Sequence, residues 1–161
     1  MSRTFIVNAS PLILLARVQR LDLLNCLAET VVVPAAVMRE VEAGGDRDHA
    51  SERVRSASDL HLVEDLKVPT QVALWDLGAG ESQVLARALA TTGTEAILDD
   101  RAARRCARAL GIPSLGTLGV VVKCRDRGLI PAARPLVERL QDEGMRLKRT
   151  LLDAVLATVG E

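Results

Sequence analysis

The fold class is decided by one stretch in the second half of the chain, residues 95–115, EAILDDRAARRCARALGIPSL. Residues 95–98 have the pattern of a short strand that ends at two aspartates. Residues 101–110 place small and apolar side chains at helical spacing among arginines, and Gly111 ends this helix. Residues 112–115 are again typical of a strand. A strand, a helix and a second strand in this order predict parallel strands joined by a helical crossover.

The rest of the chain repeats this alternation. Strands are predicted at residues 3–7 and 30–33, and a short one at 60–66. Helices are predicted at residues 35–43, 81–90, 117–127 and 132–143, with one or two short ones in 12–27 and another from Leu151. Ser10 before Pro11 predicts the N-cap of the first helix, and residues 46–58 predict an exposed helix or a mobile segment. We expect an α/β sandwich with a largely parallel sheet, formed by residues 1–161 as a single domain.

Composition excludes several classes of protein. Basic and acidic residues both number 21 in 161 residues, so the formal net charge is zero. This excludes a wholesale basic coat for nucleic acid but not a local basic face. Phe5 and Trp75 are the only aromatic residues, and there is no tyrosine. Recognition by stacking bases on aromatic platforms is therefore almost excluded.

The three cysteines, Cys26, Cys106 and Cys124, are far apart and form no paired motif. A zinc site or a disulfide framework is therefore not expected, and we interpret them as small buried residues in a reducing compartment. No run approaches 18 apolar residues, and the first residues lack the pattern of a secretory signal. The sequence predicts a cytoplasmic protein without a membrane segment.

Most sequence motifs of known chemistry are missing. The phosphate-binding pattern GxxxxGK[ST] does not occur, and Gly78-Ala79-Gly80 begins a dinucleotide-type string that Gln83 interrupts. The hypothesis of a small nucleotide-binding α/β protein would depend on that fragment alone. His49 and His61 lie in no metal or nucleophile motif, so chemistry is expected to depend on carboxylates.

Oxygen-bearing side chains follow the predicted strands. Asn8 ends the first strand and Asp99-Asp100 ends a later one, and ligands of parallel sheets gather outside these carboxyl ends. Glu81 lies in the first turn of a helix, and Glu40 flanks an apolar helical stripe. Folding is expected to bring these oxygens together. Oxygen ligands without histidine or cysteine suit Mg²⁺ or Mn²⁺.

Each of these residues also has a purely structural interpretation. Glu81 complements a helix dipole, and Glu40 near a helix C-terminus is a solvated side chain. Asp100 is an N-cap of the next helix, and Asp99 serves that or a turn. Asn8 is an Asx-turn residue. The sequence alone leaves both interpretations open.

A basic run follows the aspartates. Its members at helical spacing are Arg101, Arg104, Arg105 and Arg108, and Lys123, Arg125 and Arg127 add to it. One interpretation is a solvated helix face. The other is a patch that contacts a phosphodiester backbone beside the carboxylates.

The order of these motifs resembles the PIN-domain superfamily, and more closely its DUF3368 branch. The segments that carry the resemblance lie within residues 4–145 and are Asn8-Ala9-Ser10-Pro11-Leu12-Ile13, Val33-Pro34 with Glu40, Gly80-Glu81-Ser82, Leu98-Asp99-Asp100 and Gly116-Thr117-Leu118-Gly119. The resemblance implies a three-layer α/β/α sandwich with an acidic Mg²⁺ or Mn²⁺ pocket. It also implies RNA cleavage, commonly by the toxin of a VapBC-like toxin–antitoxin pair.

Carried over by position, the first family acid falls at Asn8, the second at Glu40, the third at Glu81 and the fourth at Asp100, with Asp99 able to share the last role. The implied metal ligands are Glu40, Glu81, Asp99 and Asp100. Ser10 and Thr117 match polar positions that line the pocket. Asn8 departs from the usual aspartate, which removes one charge from the site.

Two functions from different classes follow. The first is a metal-dependent endoribonuclease with RNA as substrate, a small antitoxin as partner and a homodimer as assembly. The second is a PIN-like module of weak catalytic power that binds RNA or protein, its activity having decayed at Asn8. Mn²⁺ stabilisation of the fold separates the two, because a functioning metal site must stabilise the folded chain.

Overall fold

The computed structural model describes residues 2–45 and 49–161. Within these ranges five strands form one sheet in the order β3-β2-β1-β4-β5, and every neighbouring pair is parallel. The strands are β1 (Thr4–Val7), β2 (Thr30–Pro34), β3 (Leu60–Val63), β4 (Thr94–Ile97) and β5 (Ser114–Leu115). The predicted α/β class with a parallel sheet is confirmed.

Helices connect the strands and cover the sheet in a three-layer α/β/α arrangement. They are α1 (Ala9–Arg17), α2 (Asp22–Leu27), α3 (Ala35–Ala43), α4 (Ala50–Ser56), α5 (Thr70–Ala73), α6 (Ala79–Ala90), α7 (Arg101–Ala109), α8 (Thr117–Asp126), α9 (Arg134–Asp142) and α10 (Arg149–Ala157). No helix in the described parts of the chain is long and apolar enough to cross a membrane.

The central strand β1 is buried on both faces. Phe5, Ile6 and Val7 are at most 1% exposed, and Ile97 at the end of β4 and Leu98 directly after it are fully buried. A continuous apolar run is what a parallel strand needs when helices cover both faces of the sheet. The local sequence therefore fixes β1 and β4 in the interior of the molecule.

The register of β1 and β4 positions the functional groups. Val7 pairs with Ile97, and the backbone N–H of Asn8 donates to the carbonyl of Ile97 at 3.0 Å. The chain runs outward from β1 through β2 to β3 and then returns to the other side of β1 as β4. Strand order thus reverses between β1 and β4, which is where open parallel sheets form their ligand crevice. Asn8 and Asp99 both enter that crevice.

The predicted start of the first helix is wrong. Helix α1 begins at Ala9 and Asn8 takes the N-cap position, so Ser10 lies inside the helix. Its hydroxyl donates to Oδ2 of Asp99 at 3.3 Å instead of capping the helix. The capping preference of serine is a local signal. Here the serine hydroxyl bonds instead to Asp99, which follows a different strand.

Other departures from the predicted elements are small. The short helix α5 was not predicted, and β5 is shorter than the predicted strand at 112–115. Part of the polar segment at 46–58 forms α4, whereas residues 46–48 lie outside the described residues. Lengths of short elements depend on tertiary packing, which a sequence pattern does not report.

Two of the three cysteines are buried, as the sequence predicts. Cys106 and Cys124 are buried free thiols, whereas Cys26 is exposed, so its predicted burial is wrong. Burial raises the pKa of the Cys124 thiol to about 11 and also raises the pKa of Cys106. Both therefore stay protonated at neutral pH and behave as small apolar residues.

Asp65 caps helix α3 from outside that helix. Pro34 at the N-cap offers no side-chain acceptor, and Oδ1 of Asp65 accepts from the backbone N–H of Ala36 at 2.9 Å while Oδ2 accepts from Arg39 at 2.6 Å. Burial opposes ionisation of this carboxyl, but the hydrogen bonds from Ala36 and Arg39 outweigh it and lower its pKa. The ionised form therefore stabilises the fold.

An Asp65→Asn variant keeps an acceptor for the Ala36 N–H but loses the negative charge that pairs with Arg39. It is expected to lower the free energy of unfolding at pH 7 by roughly 0.2–1 kcal/mol, the usual range for an exposed ion pair. The folded-state pKa lies below the unfolded one, so the contribution is complete above the unfolded pKa and disappears as pH falls through the folded pKa. Urea unfolding at pH 7 and at about pH 3 measures how the contribution of the Asp65 carboxyl to the free energy of unfolding changes with pH. The difference from the native chain should shrink at the lower pH, and Asp59→Asn, at an exposed carboxyl, is the matched control. A difference of equal size at both pH values would contradict the assignment.

Candidate active site

Asn8 lies at the centre of the crevice, between β1 and α1. Its side chain is 2% exposed, and its Nδ2 donates to Oε1 of Glu81 at 3.1 Å. It makes no capping hydrogen bond to the helix that follows, so the Asx-turn interpretation is wrong. Its Oδ1 is buried and has no hydrogen-bond partner among the described residues. A buried acceptor without a partner is costly, and functional sites are where such groups persist.

Glu81 reaches Asn8 from the first turn of α6. Gly78 takes the N-cap position there and has no side chain to accept from the helix N–H groups. The carboxylate of Glu81 thus lies where the helix dipole favours negative charge. The structural and the functional interpretations of Glu81 agree, since the dipole supports a carboxylate that also contacts Asn8.

Glu40 meets the same helix start from the other side. It is half-buried in α3, and its Oε1 accepts from the backbone N–H of Gly80 at 2.8 Å. A Cβ atom at position 80 would lie 2.8 Å from both carboxylate oxygens of Glu40, which is closer than real contacts allow. Glycine at this position therefore makes the space in which the Glu40 carboxylate lies. The interpretation of Glu40 as a freely solvated side chain is wrong.

Asp99 forms the second half of the crevice. Its Oδ1 accepts from the backbone N–H of Thr117 at 2.7 Å, and its Oδ2 accepts from the Thr117 hydroxyl at 2.6 Å and from the Ser10 hydroxyl at 3.3 Å. Thr117 is fully buried. A Cβ atom at Gly116 would approach Oδ1 of Asp99 to 3.0 Å, so this glycine also leaves room for a carboxylate. The two residues predicted to line the pocket, Ser10 and Thr117, both contact Asp99.

Asp100 has a different position. Its Oδ2 accepts from the backbone N–H of Ala103 at 2.8 Å, which makes it the N-cap of α7, and the residue is exposed. The N-cap interpretation of Asp100 is confirmed. The structure therefore brings Asp99, rather than Asp100, to the polar groups of the crevice.

The crevice contains the type of ligand atom that a divalent cation binds. Glu40, Glu81, Asp99 and Asn8 supply carboxylate and amide oxygens, the ligands that Mg²⁺ and Mn²⁺ prefer. Oδ1 of Asn8 is buried and has no partner in the described part of the chain. These oxygens do not converge in the structure: residues 2–45 and 49–161 contain no group of three or more His, Cys, Asp or Glu side chains placed to hold a metal. The reason lies in the contacts above, because Glu81 is held by Asn8, Glu40 by Gly80 and Asp99 by Thr117. A cation would have to displace some of these bonds.

The arginine face of α7, formed by Arg101, Arg104, Arg105 and Arg108, borders the crevice. These four side chains are exposed, and together with Asp99 they line a cavity of about 450 Å³. The predicted extension of this basic run is wrong in part. Lys123 pairs with Glu95 at 3.8 Å and Arg125 pairs with Glu161 at 3.3 Å, so these charges are compensated.

Two of the glycines that shape the site were not identified as such from the sequence. Gly80 and Gly116 each precede a predicted site residue at the start of a helix, Glu81 and Thr117. This repeated pairing was the available signal. Its meaning depends on Glu40 and Asp99, which approach from distant parts of the chain.

Comparisons with known proteins agree with this architecture. The family model described as DUF3368, PIN domain, matches residues 4–161. A solved structure, that of the PIN domain endonuclease Utp24, superposes with a TM-score of 0.54 at 17% sequence identity, covering 70% of this chain and 84% of that one. At this identity the likeness concerns the fold. No match was found among curated protein sequences.

Proposed function

The chain belongs to the DUF3368 family of PIN domains, and from this we propose that it is a metal-dependent endoribonuclease that hydrolyses RNA phosphodiester bonds. One observation carries the proposal: Asp99, which lies with the other acids at the carboxyl edge of the sheet, also lines a cavity whose other lining residues are the four arginines of α7. Metal-dependent cleavage of a phosphodiester uses an acidic metal site, with groups beside it that hold the negatively charged backbone.

Each part of the crevice has a role in this proposal. Glu40, Glu81 and Asp99 would hold Mg²⁺ or Mn²⁺, with Asp100 able to join them only by giving up its cap of α7. When bound, the metal supplies an activated water and neutralises developing negative charge. Asn8 fixes the direction of the Glu81 carboxylate, and Ser10 and Thr117 fix that of Asp99.

The wider setting is also a proposal, and the family resemblance supports it. We assign the chain to the cytoplasm as a single domain, the toxin of a toxin–antitoxin pair that is bound by a small antitoxin protein and forms a homodimer. A short reading frame beside the gene is expected for the antitoxin. Light scattering that showed a monomer at micromolar concentration would contradict the dimer.

A second function is favoured by the separation of the acids. Asn8 stands where the family pattern has an acid. Glu81 and Glu40 are hydrogen-bonded to Asn8 and Gly80, and the described residues contain no group of three acids placed to hold a metal. A PIN-like module that binds RNA or protein with little catalysis would have this arrangement. Thermal unfolding with increasing Mn²⁺ separates the functions, because a working metal site raises the unfolding temperature.

The nuclease proposal is tested by RNA cleavage in Mn²⁺, in Mg²⁺ and in a chelator. The native chain should cleave only with a divalent metal. A Glu40→Gln/Glu81→Gln variant keeps both acceptors of the Gly80 and Asn8 bonds, and should lose at least the roughly 10- to 100-fold that removing an outer partner of a metal site costs. Glu138→Gln on the exposed face of α9 is the matched control and should cleave as the native chain does. Equal cleavage by all three proteins would contradict the nuclease proposal.

A further inference from the structure

We propose that the arginine face of α7 binds the sugar–phosphate backbone of the RNA independently of its bases. This inference rests on the proposed function and deepens it by naming what the protein recognises in its substrate. The substrate class is then a ribose–phosphate chain of any base composition.

No aromatic side chain lines the cavity that the arginines form with Asp99. Phe5 is fully buried in β1, and Trp75 is half-buried and packs against the hydrophobic core. The chain has no tyrosine and no other aromatic residue of this kind. Sequence-specific binding of single-stranded RNA relies mainly on bases stacked on such rings. That mode of base recognition has no place on this surface.

The arginines have the spacing of one helix face. Arg101, Arg104, Arg105 and Arg108 lie at positions i, i+3, i+4 and i+7, so they extend over about 10 Å along α7. None of the four forms an ion pair within the described residues. Their planar guanidinium groups match phosphate oxygens in pairs of hydrogen bonds. A row of this length suits consecutive phosphates of one strand.

The cavity connects this row with the acids. Asp99 lines the cavity with the four arginines, and Arg104 Nη1 lies near Gly116, beside the Asp99 carboxylate. A backbone held along α7 would therefore enter the crevice next to Asp99. Asp99 is half-buried, and the four exposed arginines line the outer part of this entrance.

Binding of an abasic oligoribonucleotide tests the inference. Fluorescence anisotropy with the full chain in a chelator, where cleavage is blocked, compares an abasic 12-mer with oligo(A), oligo(U) and oligo(C) of the same length. All four should bind with dissociation constants within about threefold of one another. The logarithm of the affinity should fall with the logarithm of salt concentration by about 0.7 for each phosphate contacted.

An Arg104→Gln/Arg105→Gln variant should lose about 1.4 of that salt slope, about 0.7 for each arginine, whereas Arg146→Gln, at an exposed position outside the cavity, should keep it. A loss of tenfold or more on removing the bases would overturn the inference, since the guanidinium planes would then be stacking on bases. An unchanged slope in the double variant would overturn it as well. If neither natural nor abasic RNA binds, the result contradicts the proposed ribonuclease function, on which this inference rests.

Discussion

An Asn8→Asp variant is expected to unfold at a lower temperature without metal and to bind Mn²⁺ more tightly than the native chain. The new carboxylate would face Oε1 of Glu81 at the present 3.1 Å with a side chain that is 2% exposed. Two like charges at this separation repel by about 5 kcal/mol at an effective dielectric constant of 20, an upper limit because the pair can share a proton. The N–H donor to Glu81 is lost at the same time.

We expect a net loss of roughly 2–4 kcal/mol in the metal-free protein, or roughly 5–15 °C in the unfolding temperature. Bound Mn²⁺ would offset the repulsion between the two carboxylates, so the thermal shift with metal should be larger in the variant. RNA cleavage should increase with it. Asn25→Asp is the control, because it makes the same charge change at a half-buried asparagine outside the crevice whose Nδ2 likewise donates a hydrogen bond, there to the carbonyl of Asp59. Identical Mn²⁺ shifts in the native chain and Asn8→Asp would remove Asn8 from the site.

Asp99→Ala is expected to destabilise the fold far more than Asp100→Ala. Without Asp99, the backbone N–H and the hydroxyl of Thr117 lose their acceptor in a fully buried position, at about 1–3 kcal/mol for each group. Gly116, at the N-cap of α8, has no side chain to replace it. Asp100→Ala removes only the cap of α7, at about 1 kcal/mol.

Urea unfolding of both variants measures the difference, and RNA cleavage should separate them in the same order. Asp99→Asn keeps part of the acceptor capacity, so it should fold better than Asp99→Ala and still lose most of its cleavage. A larger effect of Asp100→Ala on cleavage would show that Asp100, and not Asp99, is the fourth acid of the site.

The elements of the fold were predictable because their signals are local. The pattern of residues 95–115 contains a strand, a helix and a strand, and the structure has β4, α7 and β5 in this stretch. The apolar run of β1 is likewise explained by burial on both faces of the sheet. Helix α5 was missed because its four residues are too few for a helical pattern to be recognised.

The site was predictable only in part, because its contacts join distant residues. The meeting of Asn8 and Asp99 in one crevice followed from parallel strands whose carboxyl ends lie at one edge of the sheet. Which of Asp99 and Asp100 enters the crevice could not be predicted in this way, because it depends on which carboxyl contacts Thr117, eighteen positions further along the chain from Asp99. The roles of Ser10 and Gly80 also depend on partners from other elements, Asp99 and Glu40. Local capping rules therefore misassigned Ser10.

Direct Mn²⁺ binding tests the central claim that the carboxylates of the crevice hold a divalent metal. Electron paramagnetic resonance of free Mn²⁺ during titration of the full chain gives the number of sites and their affinity. We predict saturable binding by the native chain and by Glu138→Gln, and binding at least roughly tenfold weaker in Glu40→Gln/Glu81→Gln. Identical Mn²⁺ titrations of the native chain and this double variant would contradict the account.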